Sequence, residues 1–261
     1  MRKQAFTLIE LLVVVSIIAL LLAILLPSLK NARHEARATV CLTNIRGLEQ
    51  AHWVYMTQWN GYMVNVGLSH GGSTLDESAS WFRTLEKDYG NKLLARSPLD
   101  DSAHWGPAPA GEPIPGSPPD RRRVTSYGIN DFLTDVSQNG LNPYGPPPSG
   151  IAPRDWPGGD GRAYTRLDRV PRPSQTIHFL VMAFEGPYAS ADHTHVTQWI
   201  EEPSPEVMAS SQVQINVFGG EPKSKEALGH YGFLDGHAKR MKFRNTLTDI
   251  ETNNYDPRIA R

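Results

Sequence analysis

Phe6-Thr7-Leu8-Ile9-Glu10 opens an apolar run that continues to Leu26-Pro27-Ser28-Leu29, and the reading of this stretch decides the rest of the chain. As a helix, Phe6 to Leu29 is about 36 Å long, enough to cross a bilayer core of roughly 30 Å with some tilt. Its one ionisable side chain is Glu10. A carboxylate deep in a membrane helix costs on the order of 3 kcal/mol, less where it reaches the interface, so this position calls for a partner. If the chain is cut between Ala5 and Phe6, the new α-amine heads the helix as a cation. The amine of one subunit can then meet Glu10 of the next, and the charge is neutralised only in an assembly.

A secretory signal fits the stretch poorly. Such signals have an apolar core of about 7–15 residues closely followed by a small-x-small site. Here the late match, Ala36-Arg37-Ala38, lies well past the end of the apolar core. Cys41 does not read as a lipid anchor, because Ala38-Thr39-Val40 lacks a small residue beside the cysteine. Arg2 and Lys3 flank one side of the run and Lys30, Arg33 and Arg37 the other, so charge alone does not set its orientation.

The block Ala5-Phe6-Thr7-Leu8-Ile9-Glu10, its short basic leader and Pro27 resemble the start of type IV prepilins and type II secretion pseudopilins. The resemblance implies a prepilin peptidase that cuts before Phe6 and N-methylates it, with Glu10 as the acid that pairs during assembly and Pro27 as the mid-helix proline. The family usually has Gly before the cut, where this chain has Ala5. It also implies a bacterial inner-membrane protein of one pass, carrying its C-terminal domain in the periplasm or on the cell surface. Partners implied in the same way are other pilin or pseudopilin subunits, an assembly platform and an ATPase.

Beyond Pro27 the helical pattern continues. Cys41, Ile45, Leu48, His52, Tyr55 and Trp59 recur at alternating steps of four and three, one apolar stripe on a helix. Pro27 removes one backbone hydrogen bond, so a kink rather than a break is expected there. Asn60-Gly61 suits a left-handed cap and ends the helix. The expected division is a leader over 1–5, a transmembrane then amphipathic helix over 6–60, and a globular domain over 61–261. With 22 Gly and 21 Pro, that domain should be rich in strand and loop. The predicted fold class is α+β: the long kinked helix packed on an antiparallel sheet, with long Pro/Gly-rich loops, as in pilins.

Within the domain, a short helix is expected from Asp76 to Tyr89, with Trp81, Phe82, Leu85 and Tyr89 on one side. Prolines at 98, 107, 109, 113, 115, 118 and 119 make 97–123 a long surface loop, and 142–161 another. Strands are predicted at Val124–Ile129, Thr176–Phe184, His195–Ile200 and Gln212–Phe218 from their β-branched and aromatic content. Leu228–Phe243 reads as a hairpin turning at Asp235-Gly236 in a type I′ turn. Several of these pieces resemble the large pseudopilin-like proteins: Cys41-Leu42-Thr43-Asn44-Ile45, Ser126-Tyr127-Gly128-Ile129-Asn130, Pro173-Ser174-Gln175-Thr176 and Phe233-Leu234-Asp235-Gly236-His237. Relatives often carry Cys-Pro-x-Asp where this chain has Ser97-Pro98-Leu99-Asp100, which leaves Cys41 without an obvious mate. Many also have a His ten residues before the Asp-Gly, where Lys225 stands here.

A net charge of −1 argues against nucleic acid as a partner, and a single cysteine excludes an internal disulfide. No catalytic residue is expected. His34-Glu35 lacks the second histidine of a zinc-protease helix, and there is no Gly-x-Ser-x-Gly elbow or phosphate-binding glycine loop. The metal candidates are Asp192, His193, His195, His230, Asp235 and His237, a donor set suited to zinc if two distant segments meet. Asp249, Glu251 and Asp256 offer oxygens for calcium, though no motif fixes a site. Arg121-Arg122-Arg123 reads as solvated charge or an anion patch, and Trp105, Trp156 and Trp199 as core residues or a sugar-binding face. The functional expectation is a non-enzymatic filament subunit without a required cofactor. Its rivals are a membrane-anchored binding protein for carbohydrate or protein, and an anchored metal-dependent hydrolase.

Overall fold

The computed structural model describes residues 8–67, 80–89, 95–106, 112, 114, 122–134, 164–200, 203–249 and 251–261. The leader, Phe6, residues 76–79 and the loop 142–161 lie outside them. An unbroken helix, α1, runs Leu8–Gln58 through Pro27. Its C-terminal end closes as expected: Asn60 and Gly61 take positive φ, and the Gly61 N–H donates to the Met56 carbonyl at 2.8 Å, the long-range bond of a Schellman cap.

The sheet has four strands in the order β1 (Tyr127–Ile129), β2 (Ile177–Val181), β3 (Leu228–Phe233) and β4 (Ala238–Lys242), each antiparallel to its neighbour. A second helix, α2 (Trp81–Tyr89), packs beside α1, and a short third, α3, spans Pro205–Ala209. Alternation along β2 divides the core. Phe179 and Val181 join Cys41, Ile45, Leu48, Trp81, Leu85 and Tyr127 under α1, while Leu180 and Met182 join Trp199, Tyr231, Phe243 and Tyr255 on the other face. The chain is thus α+β, an apolar-led helix laid on an antiparallel sheet.

Several expectations change in detail. The seat of α1 uses Ala38, Cys41, Ile45, Leu48, His52 and Met56, whereas Tyr55 is half-buried and Trp59 is 52% exposed. A strict four-three repeat drifts by about 20° per heptad around a 3.6-residue helix, so the far end of the predicted stripe rotates off the sheet. His195–Ile200 is a 3₁₀ turn from Val196 rather than a strand, because Asp131 Oδ1 accepts the Val196 N–H where a strand would offer a carbonyl. Gln212–Phe218 supplies one bridge, Val213 to Met182, and otherwise turns. The hairpin holds, but Gly236 is at φ +98 and Asp235 is not at positive φ. With the Gly236 N–H on Phe233 O and the Phe233 N–H on His237 O, the connection is a three-residue loop.

The proline segment 97–123 is not a surface loop where it is described. Asp100 and Arg123 are buried, and the Arg123 guanidinium donates to Asp100 Oδ2 at 2.6 Å and to the carbonyls of Ala183 and Ala189 at 2.7 Å. Proline forbids a regular ladder but not burial, provided local side chains satisfy the backbone. Asp100 Oδ1 accepts from Ser102 N, Ser97 Oγ from Leu99 N, and Ser102 Oγ from His104 N. Arg123 therefore belongs to the core and not to a solvated patch.

This segment also explains the solitary thiol. Cys41 is fully buried beside the Tyr127 hydroxyl at 3.5 Å and the Ser97 side chain. Ser97→Cys should close a disulfide with Cys41 under oxidising conditions and raise stability by about 4 kcal/mol through the long loop it constrains. Non-reducing mass spectrometry and a shifted urea midpoint are the measurements. A free thiol pair in the oxidised variant would show that the helix and this loop are not in register.

Candidate functional site: the N-terminal helix and its seat

Every residue of α1 from Leu8 to Arg37 is exposed, a length of about 45 Å. None of this part is buried, and the helix is long and apolar enough to cross a membrane. Its hydroxyls are turned back on the backbone, Ser16 to Val13 O at 2.8 Å and Ser28 to Leu25 O at 2.9 Å. Pro27 has no N–H, so the Ala23 carbonyl has no helical donor. Glu10 is exposed in the first turn, the one carboxylate of the apolar stretch. Ala5 and Phe6, the proposed processing residues, precede the described residues.

The other half of α1 is held on the sheet by a polar contact that the sequence reading missed. Glu49 is fully buried; its Oε1 accepts the Phe179 N–H at 3.2 Å, and its Oε2 lies 2.9 Å from His178 Nδ1. His52, one turn further along α1, stacks on the His178 ring at 4.3 Å and accepts the Val64 N–H on Nε2. The strand makes room for this. Ile177 pairs with Phe233 and Leu180 with Tyr231, so β2 carries two residues, His178 and Phe179, opposite the single Gly232 of β3. That bulge turns both toward α1. Gly232 completes the seat, because a Cβ there would overlap Glu49 Oε1 and Ile45 Cγ2.

Burial pushes the Glu49 carboxyl well above its ordinary range and holds His52 well below its own, with His178 down at about 3. Burial thus disfavours the charged form of each of the three groups, and a hydrogen bond joins Glu49 and His178. Among the described residues they are also the group of three metal-capable side chains whose ligand atoms lie within 4.8 Å of one another. The signal was present in the sequence: Glu49 is four residues after Ile45 and three before His52, on the apolar face, where a carboxylate has no business without a partner.

The structure does not bring the predicted metal candidates to one point. His193 sits on Asp192 Oδ1 at 3.0 Å with the His195 ring 5.0 Å away. His230 stacks on Phe218 near Arg240, and His237 pairs with Asp235 in the hairpin loop and stacks on Phe233. Asp249 accepts the N–H groups of Glu251 and Thr252, and Asp256 pairs with Arg258. Of the three candidate tryptophans, the two described have separate surroundings. Trp199 is in the core against Tyr255, Trp105 lies under Arg96, and Trp156 is outside the described residues.

Asp131 stands out in this region. Burial pushes its carboxyl up to about 7, against the opposing pull of the Val196 N–H and His193, and its Oδ2 has no partner among the described residues. A raised folded-state pKa means that its contribution to stability is fully present below about 3.8 and is lost as pH rises to about 7. Asp131→Asn, which keeps an acceptor for Val196, should flatten that decline and be the more stable protein at pH 8, by up to about 4 kcal/mol. Urea midpoints measured from pH 5 to pH 8 test this; parallel curves for the two proteins would refute it.

Comparison with known proteins bears on the start of the chain. Residues 1–26 match the family described as the prokaryotic N-terminal methylation motif. No curated protein and no solved structure is significantly similar to the chain. The motif followed by the long apolar helix is consistent with a type IV pilin or pseudopilin. It indicates a structural, pilin-like protein, implies processing by a prepilin peptidase and assembly with other pilin subunits, and fits a single-pass anchor in the inner membrane.

Proposed function

We propose that this protein is a non-enzymatic subunit of a type II secretion pseudopilus or a type IV pilus-like filament. The observation that carries the reading is the methylation motif joined to an apolar helix with no buried residue before Ala38. In the membrane that surface is matched by lipid. Once a subunit is extracted, the same surface must be covered by equivalent helices of its neighbours, so assembly follows from the apolar area that would otherwise meet water. A prepilin peptidase cuts before Phe6 and methylates it, and the new amine pairs with Glu10 of an adjacent subunit. An inner-membrane platform and ATPase drive the extraction. The domain over 61–261 rides outside, in the periplasm or beyond, held to the filament by the Glu49 seat. Mass spectrometry of the mature protein is the test. An N-methylated Phe6 terminus is expected; retention of Met1 in the functional protein would overturn the proposal.

A further inference from the structure

Directly after the apolar run, Lys30, Arg33, His34 and Arg37 occupy one side of α1, within an arc of about 100° at 3.6 residues per turn. All four are exposed, and among the described residues none has an ion-pair partner. The carboxylate between them, Glu35, turns instead toward the sheet and pairs with Arg240 at 2.9 Å. Lys30, Arg33, Arg37 and the His34 imidazole share a surface groove with Leu26 and Leu29, so the groove is apolar at its membrane end and basic at the other.

We propose that this groove is a binding site for an anionic phospholipid, with an acyl chain along Leu26 and Leu29 and the phosphate headgroup on Lys30, Arg33, His34 and Arg37. The inference rests on the membrane-spanning reading of α1. The lengths agree: Leu8 to Leu29 covers about 33 Å, close to the hydrocarbon core. Lys30 to Arg37 then spans about the next 10 Å, the depth at which lipid phosphates lie. Basic residues beside a membrane helix attract anionic headgroups by about fivefold each, and their long stems reach along the lipid surface. A lipid held there also sets the depth of the helix. Glu10 is then about 30 Å from Lys30, at the opposite boundary of the core, where its carboxylate is cheapest to keep.

The test uses the full chain reconstituted in mixed vesicles of phosphatidylglycerol and phosphatidylcholine, re-extracted in mild detergent, with retained lipid quantified by mass spectrometry. Phosphatidylglycerol should be enriched over phosphatidylcholine by up to on the order of a hundredfold, and high salt should reduce the enrichment. The K30Q/R33Q/R37Q variant should insert normally and lose the enrichment, while K223Q/K225Q/K239Q, which removes three exposed cations of the sheet domain, should keep it. No enrichment in the wild type, or enrichment that survives in K30Q/R33Q/R37Q, would overturn the lipid site and leave the membrane anchor standing. A wild-type chain that inserts into neither lipid would overturn both.

Discussion

Glu10→Ala is expected to leave the protein in the membrane and remove it from the filament. Taking a carboxylate out of the apolar stretch does not raise the cost of insertion, and near the boundary of the core it lowers it only modestly, so the variant should insert at least as well as the wild type. Assembly is different. The amine at the new terminus of each subunit would enter an apolar bundle without its counter-charge, and breaking one side of a buried pair costs about 3–5 kcal/mol. That is on the order of a hundredfold to several thousandfold in subunit addition. Fractionation into membrane and sheared filament, read by immunoblot, gives the answer. Equal incorporation of wild type and variant would reduce α1 to a tether, the property of an anchored binding protein. Glu10→Asp keeps the charge with a shorter reach and should fall between the two.

Arg123→Ala carries the largest expected effect on the folded domain. Asp100 is fully enclosed with Arg123, and the same guanidinium holds the carbonyls of Ala183 and Ala189 just beyond β2. Removing it orphans a buried carboxylate and two backbone acceptors together, a loss of about 3–5 kcal/mol. Urea unfolding of the full chain in detergent, followed by tryptophan fluorescence, measures this. The double change Asp100→Leu with Arg123→Met removes both charges and should recover the part of the loss due to the orphaned carboxylate, while the carbonyls of Ala183 and Ala189 stay without a donor. A loss under about 1 kcal/mol in Arg123→Ala would mean that water reaches Asp100.

Both predictions come from places that the sequence exposed unequally. The apolar run, Glu10 and the Asn60-Gly61 stop are legible because each is a local rule: span length, a charge out of place, a pair suited to left-handed backbone. The strands Tyr127–Ile129, Ile177–Val181 and the hairpin were legible for the same reason. Arg123 was not, because its burial depends on Asp100 and on carbonyls some sixty residues away, and a run of three arginines looks like solvent-facing charge from its own composition. The Glu49 seat lay between these cases. Its helix face could be counted, but its partner is set by a bulge in β2 that no local pattern announces. The metal candidates lie in two distant segments that would have to meet, and the fold instead distributes their histidines among an aspartate, two aromatic rings and a hairpin loop.

The length of α1 gives the polar seat a mechanical meaning. From Ala38 to Met56 the helix grips the sheet over about 27 Å, and from Ala38 back to Leu8 it projects about 45 Å with the Glu35–Arg240 pair at its base. Such a rod is a lever, and a sideways slip at the grip is magnified nearly twofold at the tip. Purely greasy contacts tolerate sliding and rotation; a carboxyl wedged against Gly232 and tied to one imidazole and one amide tolerates neither. The domain can thus aim its projecting tip, and a sideways load on that tip is resisted at the sheet by a buried acid as well as by apolar packing.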